Sequence, residues 1–161
     1  MTHDFRHTGR LCIDFALTGG EGAEFARFEQ LHSTADLTAW FAESPLRAAG
    51  AVADERDLAD ARRLRWAIWW AVQAALGNEP PGERDARVIE ELAARPPLVP
   101  ALGGGWRAPT AAAGMSDVAR DAIALLSDPA ERARLRVCAA PDCVVPFYDD
   151  SRPGRRRWCE A

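Results

Sequence analysis

The spacing of three cysteines near the end of the chain constrains its fold more than any other feature of the sequence. Cys138 and Cys143 are separated by four residues, and Cys159 follows after fifteen more. Two cysteines on a tight turn, which Pro141-Asp142 favours, can occupy adjacent corners of a tetrahedron around zinc. A segment that returns through Cys159 would add the third corner. The spacing predicts a small zinc-binding module from residue 137 onward, and the alternative is three unrelated thiols.

The residues around these cysteines follow a longer pattern. The chain reads C-A-A-P-D-C from 138 to 143, then Phe147, D-D-S-R from 149 to 152 and R-R-W-C from 156 to 159. This resembles the CGNR-type zinc finger, which reads C-A-x-x-D-C, an aromatic-rich strand, D-x-S-R-x-x-R-R-W-C-S and finally C-G-N-R. The resemblance implies a structural zinc ion and contact with DNA.

The fourth zinc ligand is the point at which this sequence departs from that family. The sequence ends at Ala161, before the C-G-N-R segment, and Glu160 stands where the family often has Ser. We therefore expect a finger cut short of its fourth cysteine, so the remaining ligand is not identifiable in this chain. The candidates are Cys12, water, a neighbouring molecule or one of the histidines His3, His7 and His32. Cys12 lies in an apolar run, which is more typical of a buried structural thiol.

Four arginines lie in the segment before Cys159, namely Arg152, Arg155, Arg156 and Arg157. Residues 131–161 contain seven arginines against five acidic residues, whereas residues 1–130 contain 13 against 19. Because guanidinium groups bind phosphate in a bidentate manner, a nucleic acid would contact this tail rather than the acidic body. The alternative is that the arginines pair with Asp149, Asp150 and Glu160 on a solvated surface, each pair contributing ~0–1 kcal/mol. The resemblance to the finger favours DNA as the partner.

The rest of the chain is predicted to be mainly helical. The clearest helical pattern runs from Asp54 to Leu76 and stops at Gly77-Asn78. Four shorter helices are expected: one after the capping pair Ser33 and Asp36, one over 83–94, one from Ser116 onward, and one from Asp128 to about Arg136. Glycines 103–105 between short apolar runs favour a β-hairpin or an ordered loop over 97–109. The predicted architecture is a helical domain over 1–136 with one small β-hairpin, followed by a zinc-finger-like module over 137–161.

The helical part also resembles a known domain. Residues 11–18 read L-C-I-D-F-A-L-T and residues 36–41 read D-L-T-A-W-F. They are similar to the L-x-L-D-F-x-N-T and D-L-x-x-W-L motifs of the ABATE domain, although Leu17 replaces the usual Asn. That domain commonly precedes the CGNR finger in proposed stress-induced transcription regulators. The resemblance implies a domain that senses a small molecule or mediates homodimer formation.

A ligand site in the body has three candidate residues. Arg62 and Trp66 could border a pocket for an acidic or aromatic molecule between helices, and Asp14 could supply a carboxylate. The alternatives are that Trp66 and Trp69 simply belong to the core, that Trp70 faces a partner, and that Asp14 caps a helix.

These observations favour a bacterial transcription regulator with a helical sensing domain and a DNA-contacting zinc finger. The competing hypothesis is a helical module that binds a ligand or a protein but no DNA. An enzyme is not expected, because the chain has three histidines and neither a G-x-S-x-G nor an H-E-x-x-H motif. A three-cysteine zinc could activate water, but no acid or base is placed to assist it. No run approaches the ~20 apolar residues of a membrane span, and the N-terminus lacks the apolar core of a secretory signal, so we expect a cytoplasmic protein.

Overall fold

The computed structural model describes residues 5–19 and 26–159, in which helices dominate. The helices are α1 (Leu11–Ala16), α2 (Thr34–Glu43), α3 (Glu55–Leu76), α4 (Glu83–Ala93), α5 (Ala111–Ser127) and α6 (Pro129–Arg132), with one 3-10 turn at Ala26–Phe28. The strands are β1 (Val99–Pro100), β2 (Trp106–Arg107), β3 (Leu135–Val137) and β4 (Pro146–Tyr148). The prediction of a mainly helical fold with a small hairpin and a small C-terminal module is confirmed. His3, Glu160 and Ala161 lie outside the described residues.

Local capping sequences fix where the first long helices begin. The Ser33 hydroxyl accepts from the Asp36 N–H and the Asp36 carboxylate accepts in return from the Ser33 N–H, as the sequence predicted. Asp54 and Asp57 form the same reciprocal pair before α3. The last residue of α3 is Leu76, and Gly77 is its C-cap, as the sequence predicted.

Two predicted helix boundaries were wrong: α5 begins earlier, at a local cap provided by Thr110, and α6 ends earlier, where the chain pairs as a strand. Helix α5 begins at Ala111, after the N-cap Thr110. Ser116, the predicted cap, lies inside the helix, and its hydroxyl donates to the Arg95 carbonyl (2.7 Å). Helix α6 starts after the cap Asp128 as predicted but ends at Arg132. The expected continuation to Arg136 is replaced by β3, whose backbone pairs with β4.

The core forms where α3 packs against α1, α4 and α5. Its aromatic centre is Trp40, which is 1 % exposed and packs edge-to-face against Phe15 (4.8 Å between ring centroids) and Phe41 (5.4 Å). Trp69 is partly buried against this core, while Trp70 on the next position is 46 % exposed. None of the helices within 5–19 and 26–159 combines the length and apolar character needed to cross a bilayer.

The predicted hairpin over 97–109 is present as the antiparallel pair β1–β2, with Val99 opposite Arg107 and Pro100 opposite Trp106. The turn uses glycines 103–105, all at positive φ (100°, 106° and 72°), a region that side chains rarely adopt. The Trp106 indole N–H donates to the Leu46 carbonyl (2.6 Å) and so attaches the hairpin to the segment after α2.

The contact between α5 and α2 predicts the effect of Gly114→Ala. Alanine is ~1 kcal/mol better than glycine in a helix interior. Its Cβ, however, would lie 2.6 Å from Cε1 of Phe41, which is fully buried. Overpacking of this kind costs ~1–3 kcal/mol, and subtracting the gain in helix propensity leaves a net loss of up to about 2 kcal/mol in the free energy of unfolding, measured by urea denaturation. In a Phe41→Leu background the same substitution should become neutral or stabilising, and an equal loss there would contradict the proposed clash.

Candidate metal centre

The β3–β4 hairpin brings the first two thiols together. Cys138 directly follows β3 and Cys143 lies three residues before β4. The Cys138 N–H donates to the Val145 carbonyl (3.0 Å), which extends the pairing beyond the strands, and the Cys143 N–H donates to the Ala140 carbonyl (3.1 Å) to close a tight turn. The turn predicted from Pro141-Asp142 is therefore the element that places both sulfurs on one side of the hairpin.

The third thiol is brought back by a loop that Asp149 organises. Asp149 is fully buried, and its carboxylate accepts from the Ser151 N–H (3.1 Å), the Ser151 hydroxyl (2.5 Å) and the Arg156 N–H (3.0 Å). The hydrogen bond from the Ser151 hydroxyl is the largest cause of the lowered pKa of Asp149. The Ala139 N–H then donates to the Arg157 carbonyl (2.8 Å), which aligns the last residues with the cysteine turn and delivers Cys159 to the other thiols.

The three sulfur atoms lie close enough together to share one zinc ion. The Sγ atoms of Cys138, Cys143 and Cys159 all lie within 4.8 Å of one another, and those of Cys143 and Cys159 are 3.9 Å apart. A tetrahedron with Zn–S distances of about 2.3 Å has sulfur–sulfur edges of about 3.8 Å. A compact set of thiolates selects zinc over magnesium or calcium, which prefer oxygen ligands. The donor set therefore fits a structural zinc.

The fourth ligand is not identifiable among the described residues. No histidine or carboxylate of the ranges 5–19 and 26–159 completes the three-cysteine cluster. Cys12 is fully buried in the body, where its N–H donates to Asp121 (2.9 Å) and burial raises the pKa of its thiol. His7 lies beside Asp14, with 3.7 Å between Nδ1 and Oδ2. Cys12 and His7 thus contact carboxylates of the body and do not belong to the three-cysteine cluster.

The electrostatics of the cluster favour a divalent cation. Backbone N–H groups of Ala140 and Cys159 donate to the Cys138 sulfur and lower its pKa to about 7. Burial, followed by the neighbouring thiols, raises the pKa of Cys159 to about 11. Without a cation, ionisation of Cys138 is therefore favourable, whereas ionisation of Cys159 is unfavourable. A bound cation would stabilise the additional thiolate.

The apolar core of the module is small. Phe147, which is fully buried, packs with Cys138 and Cys159, and Ala140, Cys143 and Val145 cover the cluster in part. So few apolar groups give little hydrophobic stabilisation, which is why small modules of this kind depend on a metal for folding.

The four arginines of the tail divide into two groups. Arg156 turns inward: it donates to the carbonyls of Trp158 (2.9 Å) and Cys159 (2.7 Å), and its guanidinium lies 5.2 Å from the centre of the Phe147 ring. It also pairs with Asp150 at 3.4 Å. Arg152, Arg155 and Arg157 are exposed, and Arg157 lies over the ring of half-exposed Trp158 at 5.4 Å. The sequence pattern alone gave no means of separating Arg156 from its neighbours.

A shared carboxylate joins the module to the body. Glu131 accepts from Arg10 (2.5 Å) and from the Tyr148 hydroxyl (3.0 Å), and the Arg10 guanidinium lies over the Tyr148 ring at 5.2 Å. The Tyr148 N–H also donates to the Thr8 carbonyl (3.1 Å). Residues near both ends of the chain thus meet at this joint, which sequence reasoning missed because no local motif signals it.

The three candidate ligand residues of the body have different contacts within the described residues. Asp14 lies inside α1, is buried, and accepts from the Thr8 N–H (2.5 Å) and hydroxyl (2.7 Å), while burial raises its pKa. Arg62 donates to the Leu31 carbonyl (2.8 Å). Trp66 lines a groove of about 590 Å³ between α3 and α4, together with Trp70 and Val88, and neither Arg62 nor Asp14 lines it.

Comparison with protein families agrees with this two-part organisation. The model of the family ABATE, described as "Putative stress-induced transcription regulator", matches residues 9–129. The CGNR zinc finger model matches residues 134–161. No curated protein matches the chain.

The loop around Asp149 predicts a matched pair of variants. Asp149→Asn replaces one carboxylate oxygen by an NH2 group, which cannot accept a hydrogen bond. Either the Arg156 N–H or the two Ser151 donors then lose a charged acceptor, at a cost of ~1.5–3 kcal/mol in the free energy of unfolding of the loop. Because this loop positions Cys159, we expect zinc affinity to fall about tenfold, measured by competition with a chelator. Asp150→Asn is the control, since the Asp150 side chain is 60 % exposed and its carboxylate forms a 3.4 Å pair with Arg156 on the surface of the module. Equal effects of the two variants would contradict the role given to Asp149.

The thiol pKa values predict how zinc affinity depends on pH. The pKa of Cys159 is about 11, so zinc must displace its proton at any pH below that value. Apparent affinity should therefore fall at least about tenfold per pH unit between pH 9 and pH 7, because each displaced proton contributes one power of ten. The fall should steepen below about pH 7, where Cys138 also becomes protonated. Chelator competition across this range checks the slope, and affinity independent of pH would rule out these thiols as ligands.

Proposed function

This chain belongs to the ABATE family, and we propose that it is a transcription regulator whose C-terminal CGNR finger contacts DNA. The observation that carries the proposal is the exposure of Arg152, Arg155 and Arg157 on a module whose path is set by three converging thiols. Guanidinium groups match phosphate geometry, and the acidic body would repel DNA, so contact would be confined to the finger.

The zinc ion has a structural role in this proposal. When bound, it would neutralise the thiolates of Cys138, Cys143 and Cys159 and fix the end of the arginine-bearing loop. Arg156 supports the same loop from within, through its bonds to the carbonyls of Trp158 and Cys159. The remaining three arginines are then held on the surface, where they can reach phosphates. We assign no catalytic role to the protein.

The joint at Glu131 supports communication between body and finger. Arg10 pairs with Asp121 on α5 (2.9 Å) as well as with Glu131, and Glu131 in turn accepts from Tyr148 in β4. A shift of α5 would therefore be transmitted to the finger through side chains that are in direct contact. This makes the body a candidate sensing or dimerisation domain whose state would alter how the finger is presented.

The second candidate function is a helical module that binds a small molecule or a protein without contacting DNA. The groove between α3 and α4 favours it, because Trp66 and Trp70 meet there edge-to-face at 5.5 Å and Trp70 is 46 % exposed. An aromatic pair beside a groove of about 590 Å³ is compatible with a ligand or with the surface of a second copy of the chain.

DNA contact through three phosphates makes a quantitative prediction. Log affinity for duplex DNA should fall against log salt with a slope of about −2.7, since each neutralised phosphate contributes about −0.9. Replacing Arg152, Arg155 and Arg157 by alanine should abolish this dependence, as measured by fluorescence anisotropy over a salt series.

The matched control removes three exposed arginines from the body, Arg56, Arg84 and Arg87, and thereby changes the net charge by the same amount. If both triple variants lose DNA affinity equally, the effect is one of total charge and the assignment to the finger fails. If the unmodified zinc-loaded chain shows no salt-dependent affinity at all, the helical-module alternative takes its place.

A further inference from the structure

We propose that the finger contains an oxidative modification site, in which Cys143 and Cys159 form a disulfide on exposure to hydrogen peroxide or an organic hydroperoxide. Formation of the disulfide is inferred from the positions and exposure of the thiols in the cluster. Only its consequence for DNA contact rests on the function proposed above.

The two sulfurs are close enough to bond after a small movement. They are 3.9 Å apart, and a disulfide requires about 2.0 Å, so the gap to close is about 1.9 Å. Cys143 lies on the turn between β3 and β4, where its neighbours Asp142 and Val144 are both exposed and Val144 is 73 % exposed. That turn can move toward Cys159 without displacing the core of the body.

Differences in accessibility set the order of the reaction. Cys143 is the partly exposed member of the cluster, whereas Cys138 and Cys159 are only 8 % and 6 % exposed. A peroxide therefore meets Cys143 first, and Cys159 is the thiol in position to react with it next. Cys12 is fully buried in the body and lies outside the cluster, so it provides an internal control.

Each step conserves atoms and electrons. The Cys143 thiolate attacks one peroxide oxygen, forming an S–O bond and breaking the O–O bond, and the departing hydroxide takes up a proton to become water. Cys143 is thereby oxidised to a sulfenic acid while the peroxide is reduced. The Cys159 thiolate then attacks that sulfur, the S–O bond breaks, and the released hydroxide leaves as a second water. In sum, two thiols and hydrogen peroxide give one disulfide and two waters. With an organic hydroperoxide, the corresponding alcohol takes the place of the first water.

The disulfide would dismantle the zinc site. It consumes two of the three sulfur donors, and Cys138 alone cannot complete a tetrahedral zinc site. The loop from Asp149 to Trp158 would keep its internal hydrogen bonds but lose the metal that fixes its end. On the proposed function, the exposed arginines would then be presented in a less ordered segment, and DNA affinity would fall.

The test uses the full chain, zinc-loaded and reduced, treated with hydrogen peroxide beside a zinc-free arm. Remaining thiols are alkylated, tryptic peptides are analysed by tandem mass spectrometry, and released zinc is measured with a colorimetric chelator. Trypsin leaves Cys138 and Cys143 together on the peptide 137–155, so fragment ions from between these two residues identify the bonded sulfur. The expected product is one intramolecular disulfide joining Cys143 to Cys159, with Cys138 and Cys12 alkylated and one zinc released per disulfide. Dithiothreitol should restore both thiols and zinc binding.

The Cys143→Ser and Cys138→Ser variants sharpen the result, with the helical body of each checked by circular dichroism. Cys138→Ser should still form the disulfide to Cys159 in the zinc-free arm, and Cys143→Ser should form none. A disulfide that uses Cys138, a cross-link only between chains, or oxidation beyond sulfenic acid without a disulfide in both arms would overturn the inference.

DNA affinity of the same samples separates this inference from the proposed function. Salt-dependent binding by the reduced chain, lost on disulfide formation, supports both. Disulfide formation in a chain that never binds DNA overturns the regulator alone. Reduced-state DNA binding without any disulfide in either arm overturns the oxidation site alone.

Discussion

The C-terminal module depends on the convergence of three sulfur atoms. Its core holds a single buried phenyl ring, Phe147, and the hairpin that carries Cys138 and Cys143 has only three residues in each strand. Two strands of that length with so little apolar surface are marginal in water by themselves. The loop that ends at Cys159 is held by hydrogen bonds to the Asp149 carboxylate, by the Arg156 side chain and by a backbone bond from Ala139 to Arg157. A cation shared by the thiols links these pieces at one point and balances the charge that they cannot carry alone.

The module is nevertheless attached firmly to the helical body. Tyr148 lies in the same strand as Phe147 but points to the other side, where it meets Glu131 and Arg10. Alternation along a strand therefore separates the two roles, with Phe147 facing the metal cluster and Tyr148 facing the body. Gly9 fits into this joint because a Cβ there would lie 2.9 Å from the Tyr148 carbonyl, and its φ of 90° favours glycine. A regulator needs such a connection if the state of its body is to reach its finger.

Local patterns predicted the features that local forces decide. The ends of α3 follow from Asp54 and Gly77, and the clustering of thiols follows from the spacing of three cysteines and a proline-containing turn. The inward position of Arg156 could not be predicted, because it depends on where the loop path places the carbonyls of the following residues. Likewise, Asp14 was a candidate ligand residue by its sequence context, yet its carboxylate accepts hydrogen bonds from Thr8, six residues earlier.

X-ray absorption at the zinc edge of the zinc-loaded, reduced full chain tests the central claim most directly. The account predicts one zinc per chain with three sulfur neighbours at about 2.3 Å, the distance typical of zinc thiolates. The sulfur count should fall by one when any of Cys138, Cys143 or Cys159 is replaced by serine, and it should be unchanged in Cys12→Ser. A zinc surrounded only by oxygen or nitrogen, or a sulfur count that responds to Cys12, would contradict the claim that these three thiols organise the C-terminal module.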